Sequence, residues 1–206
     1  TGIGDIQSIR VCQAADDQGC VIDIGIPAAQ AARLAGRQRN LQGRTSCGLC
    51  GSADTGAAIR PVRRVPAGDG LTPAALRRAL GMLHKQQPLN AATGATHAAA
   101  WATPEGLIVA TREDVGRHNA LDKLIGHLLR TESDLSRGFL LITSRASYEM
   151  VHKAASVGMP TVVAISAPTA LAVRVAQEAG ITLIGFARAD RHVVYTCPGR
   201  PTRGAA

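Results

Sequence analysis

From residue 72 onward, apolar positions alternate between helical spacing and short continuous runs, and that alternation predicts the architecture. Thr72-Pro73 supplies a capping hydroxyl followed by proline at a first helical position, and Leu76, Leu80 and Leu83 mark one face to about Gln87. His97–Ala102 and Leu107–Thr111 read as strands around Pro104-Glu105-Gly106, and Thr111-Arg-Glu-Asp114 has the form of a capping box. The helix it would open runs to about Arg130, with Leu121, Leu124, Ile125 and Leu128 on its buried face. Then Phe139–Thr143 reads as strand, Ala146–Val157 as helix stopped by Gly158, and Thr161–Ile165 as strand. Ala170–Ala179 follows as a helix stopped by Gly180, and Ile181–Phe186 as a further strand. These strands are apolar along their length, as expected when helices cover both faces. Short connections between them imply βαβ crossovers. The predicted fold class is α/β, a three-layer, mostly parallel sheet with flanking helices.

The first part of the chain is different. Ile9–Cys12 and Val21–Ile26 are β-branched runs around the turn-forming Asp16-Asp-Gln-Gly19, with Cys12 expected in a strand core. Ala28–Arg39 has helical character, and Pro61–Gly70 has the composition of a linker. The expected division is a smaller β-leaning part over 1–68 and an α/β domain over 69–206.

Composition narrows the classes. At 46% hydrophobic and 18% charged residues the chain is globular. No apolar run reaches the ~18 residues of a membrane helix, and no basic-then-apolar leader opens the sequence. A chain beginning at Thr1 reads as trimmed or processed. Five cysteines, an odd and sparse set, predict reduced thiols in a cytoplasmic setting over a disulfide framework. The net charge of +8 calls for an anionic partner. With only 2% aromatic residues the chain lacks the stacking platforms of nucleic-acid binders, so a small polyanion such as a nucleotide diphosphate fits better.

Two features carry chemistry. In Cys47-Gly-Leu-Cys50-Gly51, flanking glycines let backbone N–H groups converge on a sulfur, and Arg44 upstream favours thiolate over thiol. The segment reads as a reactive sulfur loop. The second feature is a set of polar strand ends, where ligands of parallel sheets bind. Ser144 and Arg145 follow one strand, Ser166-Ala-Pro-Thr169 another, and Arg188 and Arg191 a third. Hydroxylated helix starts bind anions through free N–H groups, and arginine adds bidentate phosphate recognition. Ser144 or Ser166 alone reads as an ordinary helix cap; three such ends on one rim favour a phosphate site. Arg117, His118, Asp122 and Lys123 read either as part of such a site or as an ion-pair network anchoring their helix. Gly94 and His97 open a strand, and their significance depends on their neighbours.

Together the motifs resemble a known family. Thr45-Ser-Cys-Gly-Leu-Cys-Gly51, Thr93-Gly-Ala-Thr-His-Ala-Ala99, Arg112-Glu-Asp-Val-Gly-Arg-His-Asn-Ala-Leu-Asp-Lys123, Thr143-Ser-Arg-Ala-Ser-Tyr-Glu-Met-Val-His-Lys153, Ser166-Ala-Pro-Thr169 and Gly185-Phe-Ala-Arg188 run in the order found in FdhD-type formate dehydrogenase accessory sulfurtransferases. The resemblance covers about residue 40 to 197. It implies a cytidine-deaminase-like main domain, a homodimer and a persulfide sulfurtransferase. Sulfur would come from a cysteine desulfurase and go to the molybdenum of the bis-molybdopterin guanine dinucleotide cofactor that formate dehydrogenase requires. It implies Cys47 as the persulfide carrier and Cys50 as its partner. Phe186, Ala187, Arg188, Ala189, Asp190 and Arg191 would match the guanine-dinucleotide segment, for which GDP is an analogue. Gly94, His97, Arg117, His118, Ser144, Arg145, Ser166 and Thr169, within or beside the matched motifs, join them as cofactor-binding candidates. No permanent metal, nucleic acid or membrane partner is expected. The family begins with β-rich sequence ahead of the part resembling Thr1–Ile6, so the N-terminal part reads as truncated.

Rival readings fare less well. A zinc deaminase needs His-x-Glu and a downstream Pro-Cys-x-x-Cys, whereas His97 is followed by Ala98 and Ala99. A thioredoxin-like motif should follow a buried strand, but the run before Cys47 is polar. The alternative kept open is a non-catalytic nucleotide- or cofactor-binding chaperone with a structural zinc or redox CxxC, the zinc ligands being Cys12, Cys20, Cys47 and Cys50.

Overall fold

The computed structural model describes residues 3–13, 19–35 and 61–198, which fall into two compact units, the first up to residue 35 and the second from residue 61. In the first unit β1 (Ser8–Gln13) and β2 (Cys20–Gly25) form an antiparallel ribbon with register from Ser8↔Gly25 to Gln13↔Cys20. Helix α1 (Ala28–Ala35) follows, and Gln30 Nε2 donates to Asp5 Oδ1 at 3.2 Å. Cys12 and Cys20 are both exposed. Cys12 is therefore not a core residue as expected, because among the described residues of this unit no second layer covers the two-stranded ribbon.

The second unit is a six-stranded sheet between helices. In chain order it comprises α2 (Pro73–Leu83), α3 (Pro88–Thr93), β3 (His97–Ala102), β4 (Ile108–Asp114), α4 (Arg117–Arg130), β5 (Phe139–Ile142), α5 (Tyr148–Ser156), β6 (Thr161–Ala164), α6 (Ala170–Ala179), β7 (Thr182–Gly185) and β8 (Val193–Thr196). The spatial order is β4-β3-β5-β6-β7-β8. Parallel pairing is confined to β5–β6 and β6–β7, and β3 and β8 run against their neighbours. Four of the six strands thus share one direction. The expected α/β layering holds, with antiparallel strands added at both ends of a parallel centre.

Period-two alternation assigns each strand residue to a layer. Trp101, Leu140, Ile142, Val162 and Leu183 join Leu121, Leu124, Met150, Val151, Val175 and Ala176 of α4, α5 and α6. Ala100, Phe139, Leu141, Val163 and Ile184 meet Leu76, Ala79 and Leu83 of α2 on the opposite face. Each fully buried leucine contributes about 1.5–3 kcal/mol. Among the described residues no helix is long and apolar enough to cross a membrane.

Four local departures have physical causes. The capping box at Thr111–Asp114 does not form: β4 runs through it, paired with β3 as far as His97↔Asp114, and α4 starts at Arg117 behind Gly116. The Pro88–Thr93 segment is a short helix ended by Gly94 in the left-handed region (φ 65°). Its turn is stabilised by a tertiary partner, Glu113, invisible to local pattern. Helix α5 begins at Tyr148, two residues after the expected start. The Pro61–Gly70 stretch is tied to this unit: Val65 is buried and its N–H donates to Ala179 O at 2.7 Å.

Two glycines should respond oppositely to alanine. Gly106 turns β3 into β4 at φ +83°, and a Cβ there would lie 2.1 Å from Ala75 O. Gly126, inside α4, has nothing within 4 Å of a Cβ. Gly106→Ala is expected to cost about 2 kcal/mol or more. Gly126→Ala should add about 0.5–1 kcal/mol. Urea unfolding followed by fluorescence of the single tryptophan, Trp101, reads both.

Candidate functional site at the sheet rim

Strand direction gathers the polar positions at one edge of the sheet. β4, β5, β6 and β7 end there, while β3 and β8 begin there. From one side to the other the rim therefore carries Asp114 and His97, then Thr143–Arg145, Ile165–Thr169, and Phe186–Arg191 with His192. Adjacent strands lie ~4.8 Å apart, so His97 on β3 and Phe186 on β7 are separated by about 14 Å along the rim. The candidates form one edge but two clusters.

The first cluster is built around β4. The Glu113 carboxylate, almost fully buried, accepts the N–H groups of Leu89 (2.9 Å) and Asn90 (2.8 Å) and the Thr96 hydroxyl (3.0 Å). It thereby clamps the α3–Gly94 turn from which His97 emerges. Neighbouring Asp114, on the other face, accepts from Gly116 N (2.8 Å), Asn119 Nδ2 (3.2 Å) and Lys123 Nζ (2.6 Å). These donors, Lys123 first, hold the Asp114 carboxyl below its ordinary value. Asp114 thus anchors the start of α4. Glu113 carried no local sequence signal for its role, since its donors lie more than fifteen residues away.

His118, Asp122 and Lys123 do not pair with one another as expected but with Glu149, Lys153 and Asp114, and the first two pairs join two helices. His118 Nδ1 sits 3.1 Å from Glu149 Oε2, and one turn on, Lys153 Nζ pairs with Asp122. Both residues of α4 meet both of α5 at i, i+4 spacing. Burial, reinforced by the Arg117 and Lys153 cations, pushes His118 below its ordinary 6.5 despite Glu149. Burial and then Arg117 act the same way on His97.

The strand-end hydroxyls divide. Thr169 caps α6, its Oγ1 accepting from Ala172 N at 3.2 Å. Ser144 is buried and its hydroxyl donates to Arg145 O at 3.1 Å, so it is not the cap of α5. That position belongs to Ser147, whose buried Oγ has no hydrogen-bond partner among the described residues. Neither α4 nor α5 has a side-chain cap, and both open at the rim. Unsatisfied N–H groups at such ends favour an anion. Ser166 contributes its backbone carbonyl, which accepts Phe186 N at 3.2 Å.

The second cluster lies at the end of β7. Phe186 adopts φ +50° and is 45% exposed, a costly arrangement for an aromatic residue. Gly185 before it is required, because a Cβ would lie 2.7 Å from Pro168 and 2.9 Å from Tyr195. The Arg188 guanidinium is spent on the fold, donating from Nη1 to Ile165 O (2.6 Å) and Ala187 O (2.8 Å). The Arg191 side chain engages no partner among the described residues. Phe186, Arg188, Arg191, His192 and Val193 line a cavity of about 310 Å³. Val193, which opens β8, and His192 just before it were not singled out from sequence, because a four-residue edge strand leaves little periodicity. Ala189 and Asp190 sit exposed on the loop between the two arginines.

Cys47 and Cys50 lie outside the described residues. Among the described residues no group of three or more His, Cys, Asp or Glu is placed to hold a metal ion.

These observations define an α/β protein with a basic, partly aromatic rim. A family model described as "FdhD/NarQ family" matches residues 1–202. A sulfur carrier protein FdhD of Xanthomonas campestris pv. campestris is 51% identical over 189 residues, 92% of this chain and 67% of the relative. The corresponding protein of Variovorax paradoxus is 45% identical over 198 residues, 96% of this chain and 71% of the relative. The chain belongs to the FdhD/NarQ family. A crystal structure assigned as a formate dehydrogenase accessory protein from Desulfotalea psychrophila shares the fold, with a TM-score of 0.70 at 23% identity, over 97% of this chain and 72% of that one.

The lowered histidines predict a pH dependence. A histidine whose pKa is lower folded than unfolded binds its proton more readily in the unfolded chain, so stability falls as pH drops through 6.5. Denaturant midpoints at pH 7.5 and 5.5 (within the usual histidine range) should differ less in His118→Gln than in the wild type. An equal pH slope in both would show that His118 carries none of this effect.

Proposed function

We propose that this protein is a sulfur carrier serving formate dehydrogenase, loading persulfide sulfur on Cys47 and passing it to a molybdenum cofactor whose guanine dinucleotide end docks on the rim. The observation that carries this reading is the cavity beside Phe186, where an exposed aromatic face, Arg191 and His192 surround space of nucleotide-base size. Aromatic faces stack bases, and guanidinium groups hold phosphates. The relatives' name, sulfur carrier, supplies the chemistry, and the CxxC segment supplies the thiols.

Loading is thiol–persulfide exchange. The Cys47 thiolate attacks the outer sulfur of a donor persulfide on a cysteine desulfurase. A new S–S bond forms at Cys47, the donor's S–S bond breaks, and the donor cysteine leaves as thiolate. Cys50 is the partner thiol of the carrier. The bis-molybdopterin guanine dinucleotide is the substrate that receives the sulfur, not a resident group. Its phosphates suit the uncapped starts of α4 and α5 and the Arg191 side chain, and two such dinucleotide ends fit a homodimer.

The first test is mass spectrometry after incubation with a cysteine desulfurase and cysteine. One added sulfur atom should map to the Cys47 peptide and vanish in Cys47→Ala, while GDP binding stays unchanged. Sulfur loading that survives in Cys47→Ala rejects the assignment. A second test separates the rim residues by role. Arg191→Ala should weaken GDP binding about tenfold, the scale of one charged hydrogen bond, at unchanged stability. Arg188→Ala should lower both. Phe186→Gly should relieve about 1–3 kcal/mol of backbone strain and raise the unfolding midpoint while weakening GDP binding. A Phe186→Gly variant that binds GDP as tightly as wild type would remove the stacking role.

A further inference from the structure

A second basic recess lies away from the nucleotide pocket, on the flank of α4 facing strand β4. It measures about 570 Å³ and is lined by Arg112, Lys123, Gly126, His127, Arg130 and Thr131. Four of these six carry cationic or titratable nitrogen, and no carboxylate lines the recess. Lys123, at its upper end, is held by Asp114 and Glu113 O. Arg112 gives one N–H to its neighbour Thr111 O. The side chains of His127 and Arg130 engage no partner among the described residues.

The structural explanation for basic residues here is stabilisation of the helix C-terminus. That role is already filled. Thr131 Oγ1 donates within reach of His127 O (3.1 Å) and Leu128 O (3.2 Å), and Thr131 N also bonds His127 O. Gly126 has no packing reason either, since a Cβ there would meet nothing within 4 Å. A helix-interior glycine carries a stability cost with no structural return. What it does is leave the floor of the recess open.

Beside the recess runs an open sheet edge. β4 pairs with β3 only, among the described residues, and Val109 on it is 59% exposed. Such an edge accepts an added strand. Lys123, His127 and Arg130 span seven residues of α4, about 10 Å. Same-face residues of an extended segment repeat every ~6.8 Å, so two alternate carboxylates fall within that span. No Phe, Tyr or Trp lines the recess as a platform for base stacking. From this geometry we infer that the groove between α4 and the β4 edge docks an extended acidic segment of a protein partner, alternate carboxylates meeting Arg112, His127 and Arg130. The inference is independent of the nucleotide reading of the rim.

The test uses the full chain and a fluorescein-labelled peptide of alternating glutamate and valine, read by anisotropy. The peptide should bind, weakening as salt rises, and its glutamine–valine counterpart should bind at least tenfold more weakly. Arg112→Glu with Arg130→Glu should reduce affinity at least tenfold while GDP binding is retained. Gly126→Leu, a charge-neutral change in a helix that favours leucine, should weaken the peptide by filling the groove. Equal binding of the two peptides, or binding undiminished in either variant, overturns the proposal. So does a single-stranded DNA oligonucleotide that displaces the labelled peptide at lower concentration than the unlabelled peptide does.

Discussion

A staircase of backbone hydrogen bonds beyond the last ladder residues holds the functional edge together. Ile165 N reaches back to Ile142 O, Phe186 N to Ser166 O, and Ala187 N to Ala164 O. Thr143 closes the step toward β3, its Oγ1 accepting Ala98 N at 2.9 Å. Each bond satisfies a polar group where a buried strand must turn into a helix or loop, and one left unmade would cost about 1–3 kcal/mol. The same bonds set the rim residues at fixed intervals. Rigidity of the edge and satisfaction of the backbone are one requirement.

Backbone strain is concentrated where that staircase ends. Phe186 takes a left-handed conformation immediately after Gly185, which Pro168 and Tyr195 hold in too tight a space for a side chain. A glycine at 186 would relax the turn without loss to the core, since the phenyl ring is largely outside it. The strained aromatic residue lines a cavity together with Arg191 and His192.

The excess of eight positive charges is likewise unevenly used. Lys123 and Lys153 are paired with Asp114 and Asp122 and lock α4 to β4 and to α5. Arg188 stitches β6 to β7 through backbone carbonyls. Among the cations without such roles in the described residues, Arg191 lies beside Phe186 and Arg130 on the far flank of α4. Positive potential not consumed by the fold is what an anionic partner encounters first.

The alternation of apolar runs was legible because strands buried on both faces and helices buried on one have different periods, and those periods survive any tertiary context. It sufficed for β3, β5, β6, β7, α2, α4 and α6, and for the polar strand ends. Ambiguity arose where a residue's partner is distant in sequence. Thr111-Arg-Glu-Asp114 satisfies the local rule for a capping box, yet pairing with β3 outweighs it, and Glu113 turns instead to the N–H groups of α3. The CxxC segment is a candidate for sulfur chemistry on composition alone and lies outside the described residues. By itself, then, the sequence determined the layers, the strand ends and the reactive residue types, because these depend on local period and side-chain chemistry. Tertiary structure alone decided that Arg188 supports the fold while Arg191 engages no partner among the described residues, that Ser147 and not Ser144 stands at the start of α5, and that β4 pairs on one side only among those residues. Those outcomes depend on which strand lies beside which, and strand order is set by burying the whole sheet.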